Sequence, residues 1–320
     1  MTAPSDPSAS PDETGPSDRR ETPAPAAPTG PAHRLGRPGR PLGPIAADCS
    51  SAHRAWLEPV RDAYRRSGQT MSQLGTQLHM AKSKISELMS GRMYPRWEVL
   101  YPLAVELRIP YSPLFRLWAQ AAVKTHNKSR AWVDDSVAGV AVTTRPAAPP
   151  LDYKAFRKLT HDGYRDYASV FLADDCCDPA LDDTYDQLWL RWTHALSSPD
   201  ARRYAWQVLR TTVMALTPHI DGRPEFSHAA FDTVALQAAT DQDAALEQLH
   251  ETLGLYKAMS RLPDHQLDVI VLRRLRAMPT ETVSDLLGAP LATVRSDERH
   301  ATRFLETALT APPDLEGNQP

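Results

Sequence analysis

Apolar side chains along the chain recur at helical spacing. Tyr185, Leu188, Trp189, Trp192 and Leu196 fall at i, i+3, i+4, i+7 and i+11, which is one face of a helix. Leu74 and Leu78, then Ile85, Leu88 and Met89, mark two short helices around a break at His79-Met80. Further helices are predicted at Trp97–Leu107, Pro113–Ala122 and Ala201–Leu216, the last with Tyr204, Val208 and Leu209 inward. Three more follow from Leu262, from Pro279 and from Pro290, the last with Val294, Phe304, Leu305 and Leu309 on its apolar face. Val, Ile and Thr form no alternating run, so no sheet is predicted and the fold class is all-α.

End signals agree with these periods. Thr70 with Gln73 three residues on has capping-box spacing, and Gly91 is a natural C-cap. Asp182, Asp183 and Asp186 gather near the start of the aromatic stripe, where a helix dipole favours negative charge. Pro279-Thr280-Glu281 opens a helix that Gly288 stops.

Composition then divides the chain. Residues 1–54 hold 11 Pro and few apolar side chains, which predicts a disordered tail. Its doubled Gly36-Arg37-Pro38-Gly39-Arg40-Pro41 is of the kind that enters an A·T-rich minor groove, although a solvated Pro-rich tail reads more simply. Residues 55–130 form one helical domain with 12 basic and 5 acidic side chains. Residues 131–150 lose periodicity and end Arg145-Pro146-Ala147-Ala148-Pro149-Pro150, a linker. A helical domain over 151–217, an acidic linker over 218–256, a helical domain over 257–310 and a fraying tail over 311–320 complete the order.

Over all 320 residues, 36 Lys+Arg against 39 Asp+Glu give a net charge of −3. A uniformly basic nucleic-acid coat is excluded, but the net +7 of residues 55–130 is a local cationic surface. No apolar run nears the ~18 residues a membrane span needs, so no membrane partner is predicted. Cys49, Cys176 and Cys177 give no disulfide framework, which points to a reducing cytoplasm. No phosphate loop, nucleophile elbow or metal-ligand spacing occurs. The reading is therefore of a protein with no enzymatic activity, no cofactor and no metal.

Two short helices with a tight turn, the second slim and basic at its leading end, suit a major-groove reader. Lys82-Ser83-Lys84-Ile85-Ser86 through Ser90-Gly91-Arg92 to Pro95 resembles the phage-repressor-like (XRE) helix-turn-helix family. The resemblance implies that Lys82, Ser83 and Glu87 face bases, with Lys84, Ser90 and Arg92 nearer phosphates. His79 stands where that turn usually has Gly, and Gly75 where it has Ala.

Asp182-Asp183-Thr184-Tyr185-Asp186-Gln187-Leu188-Trp189 resembles region 2 of the extracytoplasmic-function sigma factors. There the corresponding helix docks on the RNA polymerase clamp, so Asp182, Asp183, Asp186 and Gln187 become polymerase-binding candidates. The next helix of that family helps open the promoter, which makes Trp206 and Arg210 candidates, with Thr193–Asp200 as the base-reading loop. Leu262-Pro263-x-x-Gln266-x-x-Val269, with Leu286-Leu287-Gly288-Ala289-Pro290-x-x-Thr293-Val294-Arg295-Ser296, is similar to sigma region 4, the −35 reader. By position Arg295, Ser296 and Arg299 would meet the groove and Thr293 a phosphate, while Asp297-Glu298 stand where a cation is common.

These resemblances imply a sigma-like transcription initiation factor carrying an additional repressor-type domain. Its partners would be double-stranded DNA, the core of bacterial RNA polymerase, and an anti-sigma or other regulatory protein. The alternative is a DNA-binding regulator whose degenerate sigma-like half is a protein-interaction module without sigma activity.

Overall fold

A computed structural model describes residues 42–141, 147–227 and 252–310. The readings placed on residues 1–41, on most of the acidic linker and on 311–320 lie outside the described residues, as does the doubled Gly-Arg-Pro.

The described chain is all-α apart from one small hairpin. The N-terminal bundle comprises α1 (Ser51–Ser67), α2 (Met71–Gln77), α3 (Lys82–Ser90), α4 (Trp97–Glu106), α5 (Tyr111–Lys124) and α6 (Arg130–Ala138). Ser50 caps α1 by accepting from the His53 amide at 3.2 Å, and Gly68 ends it in the left-handed region. Residues 42–54, assigned to the tail from composition, instead belong to this bundle. Arg54 donates to the carbonyls of Ala46 (2.9 Å) and Cys49 (3.1 Å), and buried Arg61 donates to those of Gly43 and Met89. A segment without a ladder of its own is thus held by two arginines of α1.

The linker is also shorter than its composition suggested, because α6 occupies its first half. Ser129 caps α6 through the Trp132 amide at 3.1 Å, and Ser136 is buried, accepting from the Trp97 amide at 2.6 Å. A helix whose inward positions include a hydrogen-bonded serine leaves little apolar period to read.

The second body starts after Pro150 with α7 (Leu151–Phe171), α8 (Asp174–Leu190), α9 (Trp192–Ser197) and α10 (Ala201–Leu216). A hairpin of β1 (His219–Ile220) and β2 (Arg223–Pro224) follows, antiparallel, with Asp221 and Gly222 both at positive φ. Asp-Gly favours such a turn, and strands of two residues are too short to alternate visibly. Residues 252–259 form α11, followed by α12 (Asp264–Ile270), which runs into a π-helical turn at Val271–Leu275. Then come α13 (Thr280–Leu287) and α14 (Leu291–Thr310).

Two hydrophobic cores result. One belongs to the N-terminal bundle, built on Trp56, Leu57, Leu88, Leu100 and Trp118. The other runs without interruption from α7–α10 into α11–α14. The blocks 151–217 and 257–310 therefore share one core. A Cβ on Gly163 of α7 would lie 2.6 Å from Leu286 of α13. Two predicted faces rotate: α10 buries Ala205, Trp206, Leu209 and Val213, and α14 buries Val294, Ala301 and Leu305 while Phe304 and Leu309 stay exposed. Small alanines face the core here, and the period read from large side chains missed them.

His53 is buried in the first core, stacked on Trp56 (4.9 Å) with its Nδ1 3.2 Å from His126 Nε2. Burial above all, with His126 and Arg54 adding to it, pushes its pKa down from 6.5 to about 4. The folded value lies below the unfolded one, so the stability His53 contributes is complete above pH 6.5 and lost as pH falls toward 4. Thermal unfolding should show the bundle losing up to about 3 kcal/mol across that window, with His53→Phe flattening the profile.

Candidate nucleic-acid interface

The turn between α2 and α3 is set by backbone contact. Thr70 and Gln73 form the reciprocal capping box, with the Gln73 amide donating to Thr70 Oγ1 at 3.2 Å and the Thr70 amide to Gln73 Oε1 at 2.8 Å. The Met80 amide then donates to the Gly75 carbonyl at 2.8 Å, and a Cβ on Gly75 would sit 2.6 Å from Met80 O. Glycine at 75 is what lets the helices close so tightly. His79 takes φ +51°, the left-handed region that glycine fills more cheaply and in which a side chain costs roughly 1–2 kcal/mol. The two departures from the resemblance thus occupy the two ends of one turn.

Beyond it, Ile85, Leu88 and Met89 anchor α3 in the core, and Lys82, Ser83, Lys84, Ser86 and Glu87 are exposed together. Lys82, Lys84 and Arg92 have no ion pair among the described residues. Ser90 donates to the Glu87 carbonyl at 2.9 Å and finishes the helix, so its hydroxyl is already engaged. Gly91 (φ +76°) then turns the chain toward exposed Arg92. The face is slim at its leading end and cationic on both flanks, the shape and charge that a duplex groove accepts.

The second helix-turn-helix is α13, the turn Gly288-Ala289-Pro290, and α14. Gly288 is left-handed at φ +59°, and Ser284 and Ala289 exchange hydrogen bonds across the turn at 2.6 and 3.1 Å. Thr293, Arg295 and Arg299 are exposed and Ser296 is half-buried. Arg295, Arg299, Arg303 and Arg274 line one groove with Thr302, and Glu298 and Glu306 share it. Asp297 and Glu298, which stood out as anions near DNA, are largely buried and engaged within the module. Glu298 pairs with Arg273 (3.1 Å) and Arg274 (3.4 Å), and Asp297 lies 3.5 Å from His265. Arg295 lies 3.9 Å from Glu281, while Arg299 and Arg303 are exposed beside it.

The middle candidates have different surroundings. Asp182 is exposed and pairs with Arg157 at 2.8 Å. Asp183 is half-buried. Burial pushes its carboxyl up to about 6, against a hydrogen bond from Gln120 and the nearby Lys124 of α5. Asp186 is buried in a bidentate pair with Arg116 of α5, at 2.7 and 2.5 Å. Gln187 donates to Thr212 at 3.1 Å. All four proposed polymerase contacts thus have partners within the molecule, and Asp182 is the one of them that stays exposed.

Trp206 and Arg210 converge on one carboxylate that sequence reading had not singled out. Asp268 is fully buried and accepts from Trp206 Nε1 (2.8 Å), Arg210 Nε (3.0 Å) and Tyr167 Oη (2.7 Å). Arg210 also pairs with Asp264 at 2.9 Å. The loop Thr193–Asp200, largely helix α9, ends at Asp200, which caps α10 by accepting from the Arg202 and Arg203 amides. The turn glycine of the second helix-turn-helix abuts it: a Cβ on Gly288 would lie 2.3 Å from Arg203 N. Arg202 of α10 pairs with Asp285 of α13 across the same seam. The signal that could have found Asp268 is its place inside Leu267-Asp268-Val269-Ile270-Val271-Leu272, where an acid interrupts an apolar run.

Residues 258–305 match the family model described as Sigma-70, region 4. Comparison with curated proteins and with solved structures found no match. Among the described residues no helix is long and apolar enough to cross a membrane.

Removing the buried carboxylate strands two buried donors and leaves Arg210 with only its exposed partner Asp264. Asp268→Ala should therefore lower the stability of the second body by about 3–5 kcal/mol. Urea denaturation followed by tryptophan fluorescence checks this.

Proposed function

We propose that the protein is a DNA-binding, sigma-like transcription factor of the bacterial cytoplasm that grips duplex DNA at two helix-turn-helix units and engages RNA polymerase core through its sigma-like half. The observation that carries this reading is the exposed Arg295 and Arg299, one turn apart in the first half of α14, inside the segment that matches region 4. The N-terminal unit supports it independently, with Lys82, Ser83, Lys84 and Glu87 on one exposed face. In this scheme Arg295 and Arg299 meet the groove, Thr293 meets a phosphate, and the repressor-type unit adds a second site. The role is recognition rather than catalysis.

One observation favours a non-initiating form of this function. Strand opening needs stacking surface and cations free to meet the separated strand. Trp206 and Arg210 are instead held by Asp268. In this second reading the protein binds DNA and polymerase without melting the promoter. Run-off transcription with core polymerase, with permanganate probing of thymines, separates the two. A promoter-dependent product with reactive thymines selects initiation; polymerase binding without them selects the regulator.

Phosphate contacts release counterions, so each contributes about one unit to the salt slope of binding. Lys82→Ala and Arg295→Ala should each weaken duplex binding and lower the slope by about one if they meet phosphate, or relax base preference if they read an edge. Titrations from about 50 to 200 mM salt with wild type and both variants check this.

A further inference from the structure

The two seams that join the helical modules differ in kind. Between α7–α10 and α11–α14 the hydrophobic core is continuous, Leu286 packs against Gly163, and Asp268 is sealed inside. The seam between the N-terminal bundle and α8 is polar. Among the described residues from α7 onward, Leu190 alone joins the core of that bundle. Around it lie Arg116 on Asp186, Gln120 and Lys124 beside Asp183, and Arg191 on Glu58 (3.2 Å) and Asp62 (2.9 Å). The charges are exchanged: α8 supplies two acids and the residue that caps its end, Arg191, a base, and α5 and α1 supply the opposite of each.

Such a seam sets register more than it adds stability, since desolvation offsets much of the attraction between buried ions. Polar interfaces between domains behave like transient complexes. We infer that the N-terminal bundle is a removable cap on α8, and that it competes with RNA polymerase for the face carrying Asp183, Asp186 and Gln187. The inference rests on the polymerase-binding reading above. Lys82, Ser83 and Lys84 stay exposed while the cap is on, so the capped protein can hold DNA through α3 and still be closed to polymerase. The 12 residues between Ala138 and Leu151 reach at most about 40 Å when extended, enough for the bodies to part without a break in the chain. An intramolecular cap also does what a separate anti-sigma protein would do for this surface.

The test uses the full chain and core polymerase. Arg116→Glu sets a carboxylate against Asp186, and Glu58→Lys with Asp62→Lys sets two cations against Arg191; the second variant stands in if the first fails to fold. Hydrogen exchange reads whether α5 and α8 have parted, and a binding titration reads affinity for core. The cap predicts faster exchange in α5 and α8, at least tenfold tighter core binding, unchanged duplex binding, and wild-type behaviour for Arg116→Lys. Equal core binding by wild type and variant, with α8 uncovered, overturns the cap but leaves the polymerase reading standing. Absence of core binding even with α8 uncovered overturns that reading, and the cap with it. Unchanged exchange in both variants shows a permanent seam and also overturns the proposal.

Discussion

The second body is organised around a single buried acid. An ionised carboxylate out of water is tolerable only when its lone pairs are filled by strong donors. Asp268 meets that condition with a phenol, an indole and a guanidinium, from α7 and α10. Burial raises its pKa, and Arg210 with the three hydrogen bonds opposes that shift. Satisfying this group fixes where α12 crosses α7 and α10. That crossing brings α13 onto α7, seats the turn at Gly288 against the start of α10, and leaves the cationic side of α14 outward. The exposure of Arg295 and Arg299 is thus a downstream result of where one carboxylate had to be satisfied.

The same constraint changes the meaning of Trp206 and Arg210. As sequence, an aromatic and a base on one helix suit contact with a separated strand. As structure, they are the donors that make Asp268 affordable. A side chain holding a buried ion is not free to reach a nucleic acid until that ion is uncovered, and uncovering it would require parting a continuous apolar core. The geometry therefore sets duplex recognition, which needs only surface residues, apart from strand opening, which needs these two.

Much of the fold was legible because its signals are local. The capping box at Thr70, the stop at Gly91 and the Pro279 start each report on a few neighbouring residues and each has its counterpart in the structure, whereas the stripe from Tyr185 to Leu196 is broken at Arg191 into α8 and α9 and leaves Leu196 exposed. What was not legible depends on distant partners. The helix α6 buries a serine because the Trp97 amide, 39 positions away in sequence, needs an acceptor. Asp297 and Glu298 looked like anions facing DNA until Arg273, Arg274 and His265 were found beside them. Asp186 looked like a solvent-facing partner site until Arg116, 70 positions earlier, covered it. Charge is the hardest property to place from sequence, because its orientation follows from whichever counter-charge the tertiary fold brings near.

The contrast between the seams follows from how each kind of contact responds to separation. Parting an apolar core exposes area at roughly 25 cal/mol per Å² with nothing in return. Parting a polar seam rehydrates its ions, and water recovers much of what the pairs had given. Arg116 is half exposed even while it holds Asp186, so one partner of that pair is already largely hydrated. Asp183 adds a bias of its own: burial resists its ionisation, so at neutral pH the covered face carries a carboxylate that gains by meeting water. A module attached by such contacts, beside another welded by hydrocarbon, is the one that a competing surface can displace.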